Sequence, residues 1–114
     1  MPYLHIETNV EINSNKAQAM LNSASQTVAT ALKKPEKYVM VSLKQQATML
    51  FSGTSAPLAY LELKSLGLEE TTTAALSAQL CTLMQTQLGV DPGRIYIEFA
   101  APERPMWGWN SATF

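Results

Sequence analysis

The sequence predicts an α/β chain of the α+β kind: duplicated β-α-β units forming one four-stranded mixed sheet with two helices on one face. Alternating apolar segments and segments with apolar residues at three- and four-residue steps follow one another as strand, helix, strand, and then do so again. The two halves also open alike. Pro2-Tyr3-Leu4-His5-Ile6-Glu7 stands beside Pro57-Leu58-Ala59-Tyr60-Leu61-Glu62, which reads as an internal duplication over about 2–52 and 57–100. Right-handed β-α-β units in one sheet carry both helices on the same side. One domain is expected for residues 1–114, with 101–114 as a C-terminal tail.

Taken in order, Pro2 to Thr8 alternates as a strand, with Leu4 and Ile6 on one side and Tyr3, His5 and Glu7 on the other. Asn13, Ser14 and Asn15 offer N-caps to a helix whose stripe is Ala17, Met20, Leu21, Ala24, Val28, Ala31 and Leu32. Lys33 and Lys34 suit the negative end of its dipole, and Pro35 stops it. Tyr38 to Leu43 reads as a second strand and Thr48 to Ser52 as a short extra one before the Gly53–Pro57 turn region. Leu58 to Leu66 is the third main strand. Thr71, Thr72 and Thr73 offer caps to a helix striped by Leu76, Leu80, Leu83, Met84 and Leu88, with Gly89 just past its end. Asp91-Pro92-Gly93 is a turn, and Arg94 to Ala100 is the last strand.

With two helices on one sheet face, the other face lacks a cover, and self-association would supply it. The aromatic tail, with Trp107, Trp109 and Phe114, suits an interface between copies. A net charge of -1 and scattered basic residues give no attraction for nucleic acid or for an anionic membrane. No segment is apolar over a bilayer-spanning length. The opening residues show no basic region followed by an apolar run, so no secretory leader is read and a cytoplasmic location is expected, with leaderless export left open. Cys81 has no partner for an internal disulfide. His5 is the only histidine and has no companions at metal spacing, and no phosphate loop is present, so no metal or cofactor is expected.

Five passages, in order and over the whole chain, resemble the macrophage migration inhibitory factor family of the tautomerase superfamily. They are Met1-Pro2 with the strand ending Thr8-Asn9-Val10; Lys34-Pro35 followed by Tyr38; Ser65-Leu66-Gly67; Asp91-Pro92-Gly93-Arg94-Ile95-Tyr96-Ile97; and Gly108-Trp109-Asn110 with Thr113-Phe114 at the end. The resemblance implies a homotrimer with sheets facing a central axis and active sites between subunits. It implies keto–enol tautomerisation of a small-molecule substrate, an aryl pyruvate such as phenylpyruvate or a dopachrome-like compound.

By the same resemblance, Pro2 is the catalytic residue. Loss of Met1 leaves a secondary amine, and tautomerisation needs one group that accepts and returns a proton near neutral pH. Burial among apolar side chains and a nearby Lys34 would both disfavour the ammonium form. Lys34 is the expected carboxylate anchor, with the adjacent Lys33 as the alternative. Leu66 would offer its backbone N–H to the substrate oxygen, and Tyr96 would line the aromatic end from a neighbouring subunit. Trp109 and Phe114 are pocket or interface aromatics. Glu98 replaces a frequent asparagine of the family; a carboxylate there would repel an anion unless protonated or paired, with Arg94 or Lys34 as the partner. Glu98 activating water for dehalogenation or decarboxylation is a further reading. Leu58-Ala59-Tyr60-Leu61 stands where some relatives carry Cys-x-x-Cys, so thiol–disulfide exchange is not expected. Ile12 and Gln46 stand at positions charged in signalling members, which weighs against the alternative of a cytokine-like protein with a vestigial pocket.

Overall fold

A computed structural model describes residues 1–114. Its sheet is built from β1 (Tyr3–Thr8), β2 (Met40–Lys44), β3 (Ala59–Lys64) and β4 (Ile95–Ala100) in the order β2-β1-β3-β4. β1 and β2 are parallel, as are β3 and β4, while the central β1–β3 pair is antiparallel with Leu4 opposite Leu63 and Ile6 opposite Leu61. Helix α1 (Ser14–Leu32) bridges the first parallel pair and α2 (Thr73–Leu88) the second. The expected mixed sheet and two-helix layer are therefore present.

Alternation decides which face meets the helices. Leu4, Ile6, Leu61 and Leu63 point inward and have no exposed surface; Met20, Ala24, Leu80 and Met84 meet them from the helices. The opposite face carries Tyr3, His5, Glu7, Tyr60, Glu62 and Lys64, all half-buried. That face is polar and satisfied within the chain. His5 Nδ1 lies 2.8 Å from Ser42 Oγ, and Tyr3 Oη lies 2.7 Å from the same oxygen. Lys44 meets Glu7, and Lys64 meets Glu62, each at 3.4 Å. A sheet face of this kind is compatible with water, so hydrophobic burial alone does not call for its cover.

Asn13 caps α1, its Oδ1 accepting from the Lys16 N–H at 2.8 Å. The helix ends when Lys33 turns left-handed, its φ being 55°. Pro35 then opens a 3₁₀ turn over Glu36–Tyr38, with the Tyr38 N–H donating to the Pro35 carbonyl at 3.0 Å. That turn consumes Tyr38 and delays β2 to Met40, where the sequence pattern had it begin at Tyr38. The extra strand expected over Thr48 to Ser52 shrinks to one bridge, Phe51 to Thr54, because Ser52 and Gly53 both take positive φ and reverse the chain at once. β3 is likewise shorter than the Leu58 to Leu66 alternation. The threonines before α2 do not cap it. The Thr72 and Thr73 hydroxyls donate backwards to the Glu69 and Glu70 carbonyls, at 2.7 and 2.9 Å, within the 3₁₀ turn Glu70–Thr72. Gly89 ends α2 in the left-handed conformation, as expected.

Two side-chain clamps hold the halves in register. Buried Thr8 donates to the Leu58 carbonyl at 2.7 Å and accepts from the Val10 N–H at 3.1 Å. Asn9 beside it accepts from the Leu58 N–H at 3.0 Å and donates to the Ser55 carbonyl at 2.8 Å. Arg94 spends its guanidinium on the carbonyls of Phe51, Thr54, Ala56 and Pro57, at 3.0–3.1 Å. In the tail, β5 (Gly108–Trp109) and β6 (Ala112–Thr113) form a tight hairpin. Asn110 and Ser111, with φ of 50° and 66°, make its two-residue turn, a conformation that asparagine tolerates better than most residues. No helix is long and apolar enough to cross a membrane.

Candidate active site

The N-terminal end of β1, the end of α1 and the loop after β3 converge beside the C-terminal hairpin. Between them lies a concavity of about 450 Å³ lined by Met1, Lys34, Pro35, Tyr38, Leu66, Gly67, Arg104 and Phe114. A second, of about 430 Å³, lies on the other side of the chain start and is lined by residues that include Met1, Pro2, Tyr3, Tyr38 and Trp109. Met1 and Tyr38 are common to both. Pro2 itself is fully buried, and its carbonyl accepts from the Met40 N–H at 3.0 Å, tying the chain start to β2.

The electrostatics of the chain start follow from this placement. The Met1 amine is held below its ordinary value, first by burial and second by the Lys34 cation. While Met1 is attached, the Pro2 nitrogen is an amide and exchanges no proton. Lys34 and not Lys33 lines the concavity that Met1 lines; Lys33, turned left-handed, faces a neighbouring depression shared with Glu69. Leu66 is half-buried at the wall, and its N–H donates to none of the backbone carbonyls. Gly67, with φ of 72°, turns the chain there in a conformation that favours glycine.

Within one chain, the structure thus brings together the chain start, Lys34 and Leu66. Tyr96 and Glu98 lie apart from them on β4, on the open sheet face. Tyr96 is exposed, its ring packed edge-on against Phe51 at 4.9 Å. Glu98 pairs with neither Arg94, whose donors are occupied by the loop carbonyls, nor Lys34. Its carboxylate instead accepts the Tyr60 hydroxyl at 2.7 Å, and Tyr60 is also 3.2 Å from Glu62. These two carboxylates push the Tyr60 hydroxyl well above the ordinary phenol range, Glu98 foremost. No group of three or more His, Cys, Asp or Glu residues is placed to hold a metal.

Sequence reasoning passed over Tyr38 and Arg104 as lining residues. The alternation places Tyr38 at the start of a strand, and only the 3₁₀ turn aims its ring at Trp109, edge-on at 5.9 Å. Phe114 stacks on Trp109, also at 5.9 Å, and lines the concavity while Trp109 supports it. The neighbouring Lys34-Pro35 was the only local signal for Tyr38; Arg104 had none.

A two-helix layer on a duplicated mixed sheet, with the chain's own start in a pocket, defines the fold of the tautomerase superfamily. The sequence model for macrophage migration inhibitory factor matches residues 1–114, and the chain belongs to that family. It is 36% identical to a macrophage migration inhibitory factor homologue of Brugia malayi and 34% identical to the factor of Meriones unguiculatus, covering all of this chain and 99% of each relative. The crystal structure of the Prochlorococcus marinus homologue superposes with a TM-score of 0.93 at 38% identity over 98% of both chains. The Trichinella spiralis protein superposes with a TM-score of 0.90 at 32% identity, over 98% of this chain and 99% of its own.

Proposed function

We propose that the protein is a keto–enol tautomerase acting on aryl pyruvates such as phenylpyruvate, with the Pro2 amine, freed by loss of Met1, as its acid/base group. The observation that carries this reading is the chain start itself, an amine held in a largely apolar concavity beside Lys34 and biased towards its neutral form. Pro2 lies one residue deeper than Met1, with its ring fully buried against the fold, so its freed amine would start from the same apolar setting beside Lys34. Loss of Met1 also removes a wall residue common to the two concavities on either side of Pro2.

In this reading the neutral amine accepts the proton of the enol hydroxyl. The carbonyl forms, the double-bond pair moves to the adjacent carbon, and the ammonium returns a proton there. A positioned group of this kind contributes roughly 10²–10⁴-fold. Lys34 holds the substrate carboxylate, and the unpartnered Leu66 N–H points to a donor for the oxygen on which charge develops. Tyr96 and Glu98 reach the site only from a neighbouring copy, so the reading includes a homotrimer with sites between subunits. Exposed Tyr96, Met40 and Trp109 supply apolar surface for such contacts. The Tyr60 hydroxyl on Glu98 tempers the repulsion between that carboxylate and an anionic substrate.

The test compares phenylpyruvate tautomerisation by the trimmed wild type, by Pro2→Gly and by a form that keeps Met1. Loss of roughly 10²-fold or more in kcat/KM is expected in both altered forms. Equal rates in all three would remove Pro2 from the chemistry.

A further inference from the structure

The chain has eight lysines and arginines, and four of them have visible partners. Lys44 and Lys64 sit in ion pairs, Arg94 donates to four carbonyls, and Lys37 lies over the Tyr38 ring. Lys34 and Arg104 differ from these. Both line the concavity at the chain start, neither is in an ion pair, and no acidic residue lines that concavity with them. Two cationic side chains around one apolar pocket, with the Phe114 terminal carboxylate as the one anionic group among its lining residues, leave a positive balance that favours anionic ligands.

The placement of Arg104 is built into the fold. It opens the 3₁₀ turn Arg104–Met106, in which the Met106 N–H donates to the Glu103 carbonyl at 2.9 Å and the Trp107 N–H to the Arg104 carbonyl at 3.2 Å. Pro105 restricts the same turn. Arg104 also lines a second depression, of about 480 Å³, which shares Leu66 and Gly67 with the first. It therefore stands at the rim where the two meet, a position from which a planar guanidinium can take a carboxylate with two N–H donors.

We infer that Arg104 is a specificity-determining residue that binds a second carboxylate, so that the preferred substrate is a 2-keto acid carrying another carboxylate at its far end. This rests on the tautomerase reading: Lys34 takes the carboxylate next to the reacting ketone, and Arg104 takes the distal one. The apolar wall of Pro35, Tyr38, Leu66 and Phe114 suits a flat ring or short chain between the two charges.

Two measurements test it. The first compares kcat/KM for 4-carboxyphenylpyruvate and phenylpyruvate in wild type, Arg104→Gln and Arg104→Lys, at low ionic strength because the arginine is exposed. The second compares calorimetric affinities for 3-(4-carboxyphenyl)propanoate and 3-phenylpropanoate, which have no ketone to react. Wild type should prefer the doubly charged partner in each pair by about fivefold, the upper range for an ion pair on an exposed arginine. Arg104→Gln should bring both preferences close to unity, and Arg104→Lys should keep part of them. Lys16→Gln, which removes a charge on the exposed start of α1, should leave both ratios where they were. No preference in the wild type, or the same ratios in wild type and Arg104→Gln, overturns the assignment. Absence of turnover on both keto acids together with an Arg104-dependent binding preference would count against the Pro2 chemistry and for the anion site.

Discussion

At the residue scale, the chemistry turns on how far one amine is kept neutral. At the chain start, burial and the Lys34 cation both hold the Met1 amine below its ordinary value, burial being the larger cause, and the same two influences would act on the Pro2 amine once Met1 is lost. A lowered value places the rising limb of a kcat/KM profile below the ordinary 8.0 of a terminal amine, because the neutral base then persists to lower pH. Lys34→Gln removes only the smaller cause. Its rising limb should therefore move to higher pH yet stay below the ordinary value, while KM for phenylpyruvate rises with loss of the carboxylate anchor. A pH–rate titration reads both effects, and a limb that stays put or moves to lower pH would exclude Lys34 from tuning the amine. Thr8 makes a structural counterpart. Thr8→Val keeps the shape but leaves the Leu58 carbonyl and the Val10 N–H without their buried partner, so chemical denaturation should show a loss of about 1–3 kcal/mol. The Thr8-Asn9 pair was legible in the sequence as a family feature; its physical task, clamping residues 55–58 onto β1, came from the fold.

At the scale of elements, periodicity located both helices and all four main strands, since burial on one side writes itself into the spacing of apolar residues. Element ends were less legible. Tyr38 alternates with Met40 as a strand residue would, but Pro35 and the hydrogen bonds of the following 3₁₀ turn claim it first. The threonines at the start of α2 have cap chemistry, yet the hydroxyls of Thr72 and Thr73 find nearer acceptors in the preceding turn. The C-terminal hairpin escaped notice because two-residue strands are too short to show a period, and Asn-Ser is a weaker turn signal than Asn-Gly. That hairpin carries Trp109 between Tyr38 and Phe114, so its turn supports the pocket wall. Asn110→Val places a β-branched residue at φ near 50°. It should raise KM for phenylpyruvate several-fold while the melting temperature changes little, because the hairpin lies outside the core. An unchanged KM would separate the hairpin from substrate binding.

At the scale of the whole molecule, one protomer holds half of the expected site. The chain start, Lys34 and Leu66 share a concavity, whereas Tyr96 and Glu98 look outward from β4. The proposed trimer predicts a sedimentation-equilibrium mass of three chains and a fall in activity on dilution that tracks dissociation; a monomer with undiminished turnover would defeat it. The open sheet face does not itself demand association, because its Tyr, His, Glu and Lys side chains pair with one another across the strands. By itself the sequence determined the α+β class, the duplicated topology and the inward faces of strands and helices, because apolar periodicity and local turn chemistry act between near neighbours along the chain, and five passages in order carried the likeness to the family. Only the tertiary structure decided that Lys34 and not Lys33 faces the chain start, that Tyr60 and not Arg94 meets Glu98, and that Arg104 joins Lys34 around one pocket. Those pairings depend on where distant segments cross and on a single left-handed residue at a helix end, which no spacing in the sequence encodes.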